Sequence, residues 1–362
     1  MAYPYACTGW PQFELASWLI KVSEESELSF YTLRKTGNMN DAIKKVLAPH
    51  APKDKDVKHF RLESILQQAK DAAPVPTAVV HPTDVNSLQG AVEAAEATII
   101  IPFLVGPESK IRAAADEGGI DLKDYKIINT EHSHEAADVA AKMAQCGEVH
   151  ALMKGSIATA ELLGAVVARE NGLRTERRLS HIFVMDVPSY HKTLLITDAA
   201  INISPNLMDK RDILQNAIDC AHALGIELPK AAILSAVEKI KPNIQSTLDA
   251  AALCKMLDRG QITGAIVDGP LAFDNAISAE AAKDKGIKSP VPGDVDILMP
   301  PDLESGNMFA KQLQYLASAK AAGIVMGARV PVILTSRAAK SLERLSSCAV
   351  AVMVARKLGR LE

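Results

Sequence analysis

The stretch 194–234, LLITDAAINISPNLMDKRDILQNAIDCAHALGIELPKAAIL, decides the fold of this chain. Its two apolar runs, Leu194–Thr197 and Ala232–Leu234, lack the polar alternation of half-exposed strands and predict strands buried in a parallel sheet. Between them, Asp212–Leu224 repeats apolar residues at helical spacing, and Gly225 is a typical helix stop. A strand, a helix and a second strand in this order predict an α/β fold.

The same alternation of apolar runs and amphipathic stretches extends over the chain from about residue 75. The eleven predicted strands are Thr77–Val80, Thr98–Val105, Lys126–Ile128, Ala151–Met153, Ile182–Met185, Leu194–Thr197, Ala232–Leu234, Ala265–Val267, Asp296–Met299, Gly323–Met326 and Val332–Thr335. Eleven strands are too many for one comfortable open sheet, so we predict two mainly parallel sheets in two domains. Ligands of such folds bind beyond the carboxyl ends of the strands.

The composition indicates an intracellular globular protein. Hydrophobic residues make up 48% and charged residues 23% of the 362 residues, which is enough for a large buried core. The formal net charge of −3 lacks the basic surplus of nucleic-acid-binding proteins. The five cysteines form no C-x-x-C pair, and no apolar run reaches the roughly 18 residues of a membrane span. We therefore expect a cytoplasmic protein without nucleic-acid or membrane partners.

The strand Val332–Thr335 leads into the first candidate site, Ser336 and Arg337, just before a predicted helix. The free N–H groups at a helix N-terminus and the forked guanidinium of arginine both favour an anion. The alternative is that Ser336 is a turn residue and Arg337 a surface charge, because strand–turn–helix junctions often carry such residues.

Other polar or small residues also follow predicted strands. Lys154 and Ser156 come after one strand, Asp268 ends another, and Gly306 and Asn307 enter a helix after a third. Gly306 would let the backbone approach a ligand closely. These five residues are candidate substrate-binding residues, although an aspartate at this position is also a common turn former.

Several common catalytic signatures are absent from the sequence. It contains no phosphate-binding G-x-x-x-x-G-K-[ST], no G-x-G-x-x-G after a strand and no G-x-S-x-G nucleophile elbow. The pair His132 and His134 lies in a polar stretch at a predicted helix start, which favours a solvated helix face over a metal site. We expect no bound metal.

Eight motifs follow one another from residue 153 to residue 338. They are Met153-Lys-Gly-Ser156, Leu173-Arg-Thr-Glu-Arg-Arg-Leu-Ser180, Thr197-Asp-Ala-Ala-Ile-Asn-Ile203, Thr247-Leu-Asp-Ala-Ala251, Val267-Asp-Gly-Pro-Leu-Ala-Phe-Asp274, Ser289-Pro-Val-Pro-Gly293, Pro301-Asp-Leu-Glu-Ser-Gly-Asn307 and Leu334-Thr-Ser-Arg-Ala338. Through them the chain resembles the phosphate acetyl/butyryltransferase family from about residue 57 to its end. It looks most like the phosphate acetyltransferase portion of bifunctional enoyl-CoA hydratase/phosphate acetyltransferases, and we expect no hydratase domain because the preceding segment is too short.

The resemblance implies a fold related to isocitrate/isopropylmalate dehydrogenases, in which two α/β domains enclose a cleft. The first domain would combine residues 39–174 with residues 326–362, and the second would span residues 175–325. Residues 1–38, which hold both tryptophans, are interpreted as a poorly ordered extension. Family members are usually dimers, so the resemblance also implies a homodimer.

The reaction that the resemblance implies is acyl-CoA plus phosphate giving acyl phosphate plus coenzyme A, by direct transfer in a ternary complex without a further cofactor. It implies that Arg337 binds phosphate and that Ser336 donates a hydrogen bond to the carbonyl or the thiol. Glu343, seven residues after the serine, would be the base, although its place in a first helical turn also suits dipole stabilisation. The chain departs from the family at Gly164, where relatives often carry an arginine.

Three alternatives remain open from the sequence. The acyl group is acetyl or another short chain, so a phosphate butyryltransferase is possible. A degenerate coenzyme A-binding protein would explain Gly164. A metal- and NAD-dependent hydroxyacid dehydrogenase of the same fold needs two aspartates four apart on a helix, whereas Asp209 and Asp212 are three apart.

Overall fold

The structure is a computed structural model that describes residues 58–335 and 339–359. The predictions made for residues 1–38, Ser336 and Arg337 therefore lie outside the described residues. None of the helices in the described part of the chain combines the length and the hydropathy needed to cross a bilayer.

All eleven predicted strands occur, with bounds shifted by a few residues. They are β1 (Val75–Val80), β2 (Ile100–Gly106), β3 (Lys126–Asn129), β4 (Ala151–Lys154), β5 (Ser180–Asp186), β6 (Leu194–Thr197), β7 (Lys230–Leu234), β8 (Ile266–Leu271), β9 (Ile297–Met299), β10 (Lys320–Met326) and β11 (Val332–Ile333). They form one sheet in the order β3-β2-β1-β4-β11-β10-β5-β6-β9-β7-β8. The prediction of two separate sheets is wrong, because β10 and β5 pair along seven residues and join the two halves.

The sheet is mainly parallel, as predicted, but its centre is not. Strand β10 runs antiparallel to both β11 and β5, and β5 runs antiparallel to β6. The predicted parallel direction is wrong for these central strands. The prediction rested on the lack of polar alternation, but any strand that is buried on both faces lacks it, whether it runs parallel or antiparallel. The reversals place the carboxyl ends of β1, β4 and β11 at one edge of the sheet and those of β6 to β9 at the other.

Helices cover both faces of the sheet. They are α1 (Phe60–Lys70), α2 (Val85–Glu96), α3 (Glu108–Gly118), α4 (Ser133–Gln145), α5 (Thr159–Val167), α6 (Leu207–Ala223), α7 (Gln245–Asp258), α8 (Phe273–Ile277), α9 (Ala279–Asp284), α10 (Leu303–Leu316) and α11 (Ser341–Lys357). Helix α6 contains most of the predicted segment but begins five residues earlier, where Asn206 and Asp209 form a capping box. Gly225 follows its end with φ +84°.

The two faces of the sheet differ in how their apolar side chains pack. On one face, a single core cluster extends from Leu62 of α1 through Ile213 of α6 to Leu253 of α7. On the other face there are two clusters, one around α4 and α5 and one around α8 and α10. One face is therefore a shared core, while the opposite face divides into two.

Candidate functional site

A cleft of about 350 Å³ lies beyond the carboxyl ends of β1, β4 and β11. Its lining residues are Asp84, Asn86, Ser87, Met153, Lys154, Gly155, Ser156, Thr335, Ala339 and Arg344. This is the edge of the sheet at which a parallel α/β fold usually places its ligand. The structure thus brings together two predicted residues, Lys154 and Ser156, with the strand end that precedes Ser336.

The turn after β4 is held tightly against the end of β1. The backbone N–H groups of Gly155 and Ser156 donate to the carbonyls of Val80 and His81 at 2.9 and 2.8 Å. A Cβ atom on Gly155 would lie 2.5 Å from the Val80 oxygen, so only glycine fits there. The glycine of the Lys154-Gly-Ser156 motif therefore lets the flanking lysine and serine line the cleft.

Asp84 brings a carboxylate to the cleft at the N-terminus of α2. It is the N-cap of the helix and accepts the Ser87 N–H at 3.0 Å and the Ser87 hydroxyl at 2.8 Å. Burial by itself raises the pKa of Asp84, but these bonds and one from the Ser156 hydroxyl together outweigh it and lower the pKa below its ordinary value. Asp84 is thus an ionised hydrogen-bond acceptor that orients Ser156.

Arg344 supplies a second cation to the cleft from the first turn of α11. Its Nη2 donates to both oxygens of Glu93 on α2 at 3.0 and 2.9 Å, and its Nη1 donates to the Ala339 carbonyl at 2.8 Å. The Ser341 hydroxyl also donates to Glu93, at 2.9 Å. The start of α11 is therefore tied to α2 across the cleft.

The segment that carries the first candidate site starts and ends at the cleft. Thr335 and Ala339 both line it, and Ser336 and Arg337 follow Thr335 directly in the chain.

Glu343, the predicted base, lies beside the cleft and is not among its lining residues. Its carboxylate accepts the Lys340 N–H at 3.2 Å, which closes a capping box, and the Ala321 N–H at 3.3 Å. The Gln314 amide lies 3.4 Å away. These contacts show a helix-capping role, and the role as a base stays a prediction.

The other predicted residues are not brought to this cleft. Asp268 lies on β8, six strand positions from β11, which is roughly 29 Å along the sheet. Its carboxylate accepts the N–H of its neighbour Gly269 at 2.8 Å. Gly306 packs against the backbone of Asp198, and the Asn307 amide donates to the Ala199 carbonyl at 2.9 Å. Their contribution to substrate binding stays a prediction.

A second cavity, of about 630 Å³, lies where α5 faces the loops before β5 and after β6. Gly164 lines it together with residues of two motifs, including Arg174, Arg178 and Asn202. A Cβ atom on Gly164 would meet nothing within 4 Å, so a larger side chain has room there. We favour the smaller cleft as the reaction site because Lys154 and Arg344 line it, together with Thr335, which precedes Ser336 in the chain.

Buried thiols offer no ready nucleophile among the described residues. Burial raises the pKa of Cys220 and Cys348 to about 12 and that of Cys254 to about 11. Within the described ranges, no group of three His, Cys, Asp or Glu residues could hold a metal ion. His132 instead caps α4 by accepting the Glu135 N–H at 3.1 Å.

Sequence reasoning missed Asp84 and Arg344. Asp84 follows a predicted strand by four residues, so the strand-end rule that found Lys154 and Ser156 could also have found it. No sequence signal marks Arg344 as a site residue, because a charged residue inside a predicted helix is usually on its solvated face.

Comparison with known proteins identifies the family of this chain. The family model described as Phosphate acetyl/butaryl transferase matches residues 133–352. The chain is 57% identical to a phosphate acetyltransferase of Rickettsia prowazekii over 83% of this chain and 86% of that protein. It is 40% identical to a phosphate butyryltransferase of Clostridium beijerinckii over 81% of this chain and 97% of that protein.

A solved structure gives the same result for the fold. The crystal structure of a branched-chain phosphotransacylase from Enterococcus faecalis V583 superposes with a TM-score of 0.68 at 29% identity, covering 78% of this chain and 99% of that one. The sequence motifs, the fold and these similarities agree: the chain belongs to the phosphate acetyl/butyryl transferase family.

Proposed function

We propose that this protein is a phosphate acetyltransferase, which exchanges an acetyl group between coenzyme A and inorganic phosphate. The observation that carries the proposal is the cleft, in which the Lys154-Gly-Ser156 turn meets the strand end before Ser336 and Arg337. The choice of acetyl over butyryl is supported by the higher identity to the acetyltransferase, 57% against 40%.

The cleft supplies what this reaction needs. Phosphate and the phosphates of coenzyme A are anions. Lys154 and Arg344 line the cleft, where the nearby carboxylates of Asp84 and Glu93 offset their charges, and Arg337, which follows in the chain, adds a further cation. Negative charge develops on the acyl carbonyl oxygen in the transition state, and one well-placed donor there contributes about 3 kcal/mol. We assign phosphate binding to Arg337 and Lys154, and donation to the carbonyl or thiol to Ser336 and Ser156.

Direct transfer between the two substrates is the mechanism that these residues favour. A free thiol has a pKa of about 8.5, so local positive potential at the cleft would favour the coenzyme A thiolate. Holding both substrates in attack geometry then supplies much of the rate. Glu343 remains the proposed base. To take the proton from the coenzyme A thiol, its carboxylate would first have to give up one of its capping hydrogen bonds and accept a hydrogen bond from the thiol instead.

The finer features of the proposal extend the fold and the family. We propose two domains of isocitrate dehydrogenase-like arrangement with a groove between them, which the division of one face into two core clusters supports. The residues that line the 350 Å³ cleft all belong to the first of these domains, so the cleft would form one wall of that groove. We also propose a cytoplasmic homodimer that binds acyl-CoA and phosphate as substrates and needs no cofactor. The cysteine usage of the chain suits a reducing compartment.

Initial rates with acetyl-, propionyl- and butyryl-CoA, measured in phosphate buffer by release of the thiol, test the proposal. We expect kcat/KM to be highest for acetyl-CoA. A maximum at butyryl-CoA would replace the acetyl assignment by the butyryl one, and tight coenzyme A binding without thiol release would support the degenerate alternative.

Arg337→Ala tests the assignment of the phosphate ligand. Removing a charged contact should raise the phosphate KM and lower kcat, together by about 100-fold in kcat/KM, since a charge-assisted hydrogen bond contributes about 1.5–3 kcal/mol. Arg329→Ala is the matched control, because Arg329 is exposed and outside the cleft lining. Activity of Arg337→Ala within twofold of wild type would show that the site is misplaced.

A further inference from the structure

We propose that Glu93 is a positioning residue of the cleft, which acts through Arg344 to fix Ala339, one of the residues that line it. The inference rests on the proposed function only in assigning phosphate binding to this cleft. Glu93 itself does not line the cleft.

The contact between Glu93 and Arg344 is built for orientation. Both carboxylate oxygens accept from the same nitrogen, Nη2, and the two side chains are only 21% and 17% exposed. Glu93 also accepts the hydroxyl of Ser341, the first residue of α11. A partly buried arginine that is paired with a carboxylate keeps its guanidinium in one orientation, whereas a solvated arginine side chain would sample several.

Arg344 passes this orientation on to the backbone. Its Nη1 donates to the Ala339 carbonyl at 2.8 Å. The guanidinium therefore connects Glu93 on α2 with Ala339, and Ala339 directly precedes the N-cap of α11, Lys340. The Nε atom of Arg344 is buried without a hydrogen-bond partner, which indicates that the position of the side chain is set by the other nitrogens. Movement of Glu93 would therefore displace both Arg344 and Ala339.

Gly90 makes room for this arrangement from one turn earlier on α2. A Cβ atom there would lie 3.0 Å from Cδ and 3.3 Å from Nε of Arg344, which is closer than ordinary contact. Alanine at this position would stabilise the helix, but its Cβ atom would lie too close to the Arg344 side chain. Gly90→Ala thus displaces Arg344 without weakening the helix, whereas Glu93→Gln displaces it by removing the charge.

The test compares Glu93→Gln and Gly90→Ala with Glu96→Gln, which removes one carboxylate from the exposed end of the same helix. We expect the first two variants to raise the phosphate KM at least threefold while the acetyl-CoA KM stays within twofold of wild type. The double variant Glu93→Gln/Arg344→Gln should be no worse than Arg344→Gln alone. Hydrogen exchange at Ala339 and Lys340 should be faster in the first two variants than in Glu96→Gln.

Wild-type phosphate KM and wild-type exchange in both Glu93→Gln and Gly90→Ala would overturn the inference. A loss of thermal stability in Glu93→Gln with an unchanged phosphate KM would also overturn it, since that is the result of a purely structural ion pair. If the wild-type protein shows no acyl transfer, the proposed function fails instead, and the exchange at Ala339 still decides the role of Glu93.

Discussion

His181 is a titratable residue buried in the middle of the sheet. It lies on β5 opposite Val325 of β10, is 3% exposed, and its Nδ1 has no hydrogen-bond partner. Burial lowers its pKa from 6.5 to about 4; the charge of Asp198 acts in the opposite direction and that of Lys311 in the same direction. Between pH 6.5 and about 4, the imidazole of His181 is therefore mainly neutral in the folded protein and mainly protonated in the unfolded chain.

The pKa of His181 predicts how stability depends on pH. Because the folded pKa is lowered, this contribution is present above pH 6.5 and is lost as the pH falls towards about 4. Between pH 7 and pH 5 the loss from this residue is about 2 kcal/mol. Urea unfolding at both pH values should show a smaller loss in His181→Gln than in wild type; equal losses in the two proteins would contradict the prediction.

At the residue scale, the sequence predicted those site residues that follow a strand directly. Lys154 and Ser156 were found because the strand-end rule fixes their edge of the sheet. Arg344 was missed because its place depends on Glu93, a contact between residues 251 positions apart. Asp268 was grouped with the site because the strand-end rule does not say at which edge, or how many strands away, a given strand ends.

At the element scale, α10 depends on a glycine for its close approach to the loop after β6. A Cβ atom on Gly306 would lie 2.6 Å from the Asp198 carbonyl oxygen, and backbone cannot move aside cheaply. Gly306→Ala should therefore lower the free energy of unfolding by about 2 kcal/mol. Gly164→Ala on α5 is the matched control and should raise it by about 0.5–1 kcal/mol, because its Cβ meets nothing within 4 Å.

Urea unfolding measures both substitutions in the same buffer. A Gly306→Ala protein as stable as wild type would show that α10 does not need this close approach.

The elements themselves were predictable, since all eleven strands follow from apolar runs, but their pairing was not. Two-sided burial gives β5 and β10 the same apolar pattern as parallel strands, so nothing in the sequence marks the reversal at the centre of the sheet.

At the scale of the whole molecule, the shared core predicts that the two halves of residues 58–359 open together. The sheet is continuous from β3 to β8, and one cluster of apolar side chains extends along a whole face of it. Opening either half alone would expose the part of that cluster that belongs to the other half. Stability in such a unit is cooperative, and the most protected amides exchange only by global unfolding.

Native-state hydrogen exchange tests this cooperativity directly. The central amides of β1 (Val75–Val80) and β7 (Lys230–Leu234) lie on opposite sides of the β10–β5 pairing. We expect both sets to show the same free energy of opening, and the same dependence of that energy on denaturant, because both require loss of the common face. A clearly lower value for β7 than for β1 would show that the half around residues 175–325 opens by itself, as two domains with separate sheets would.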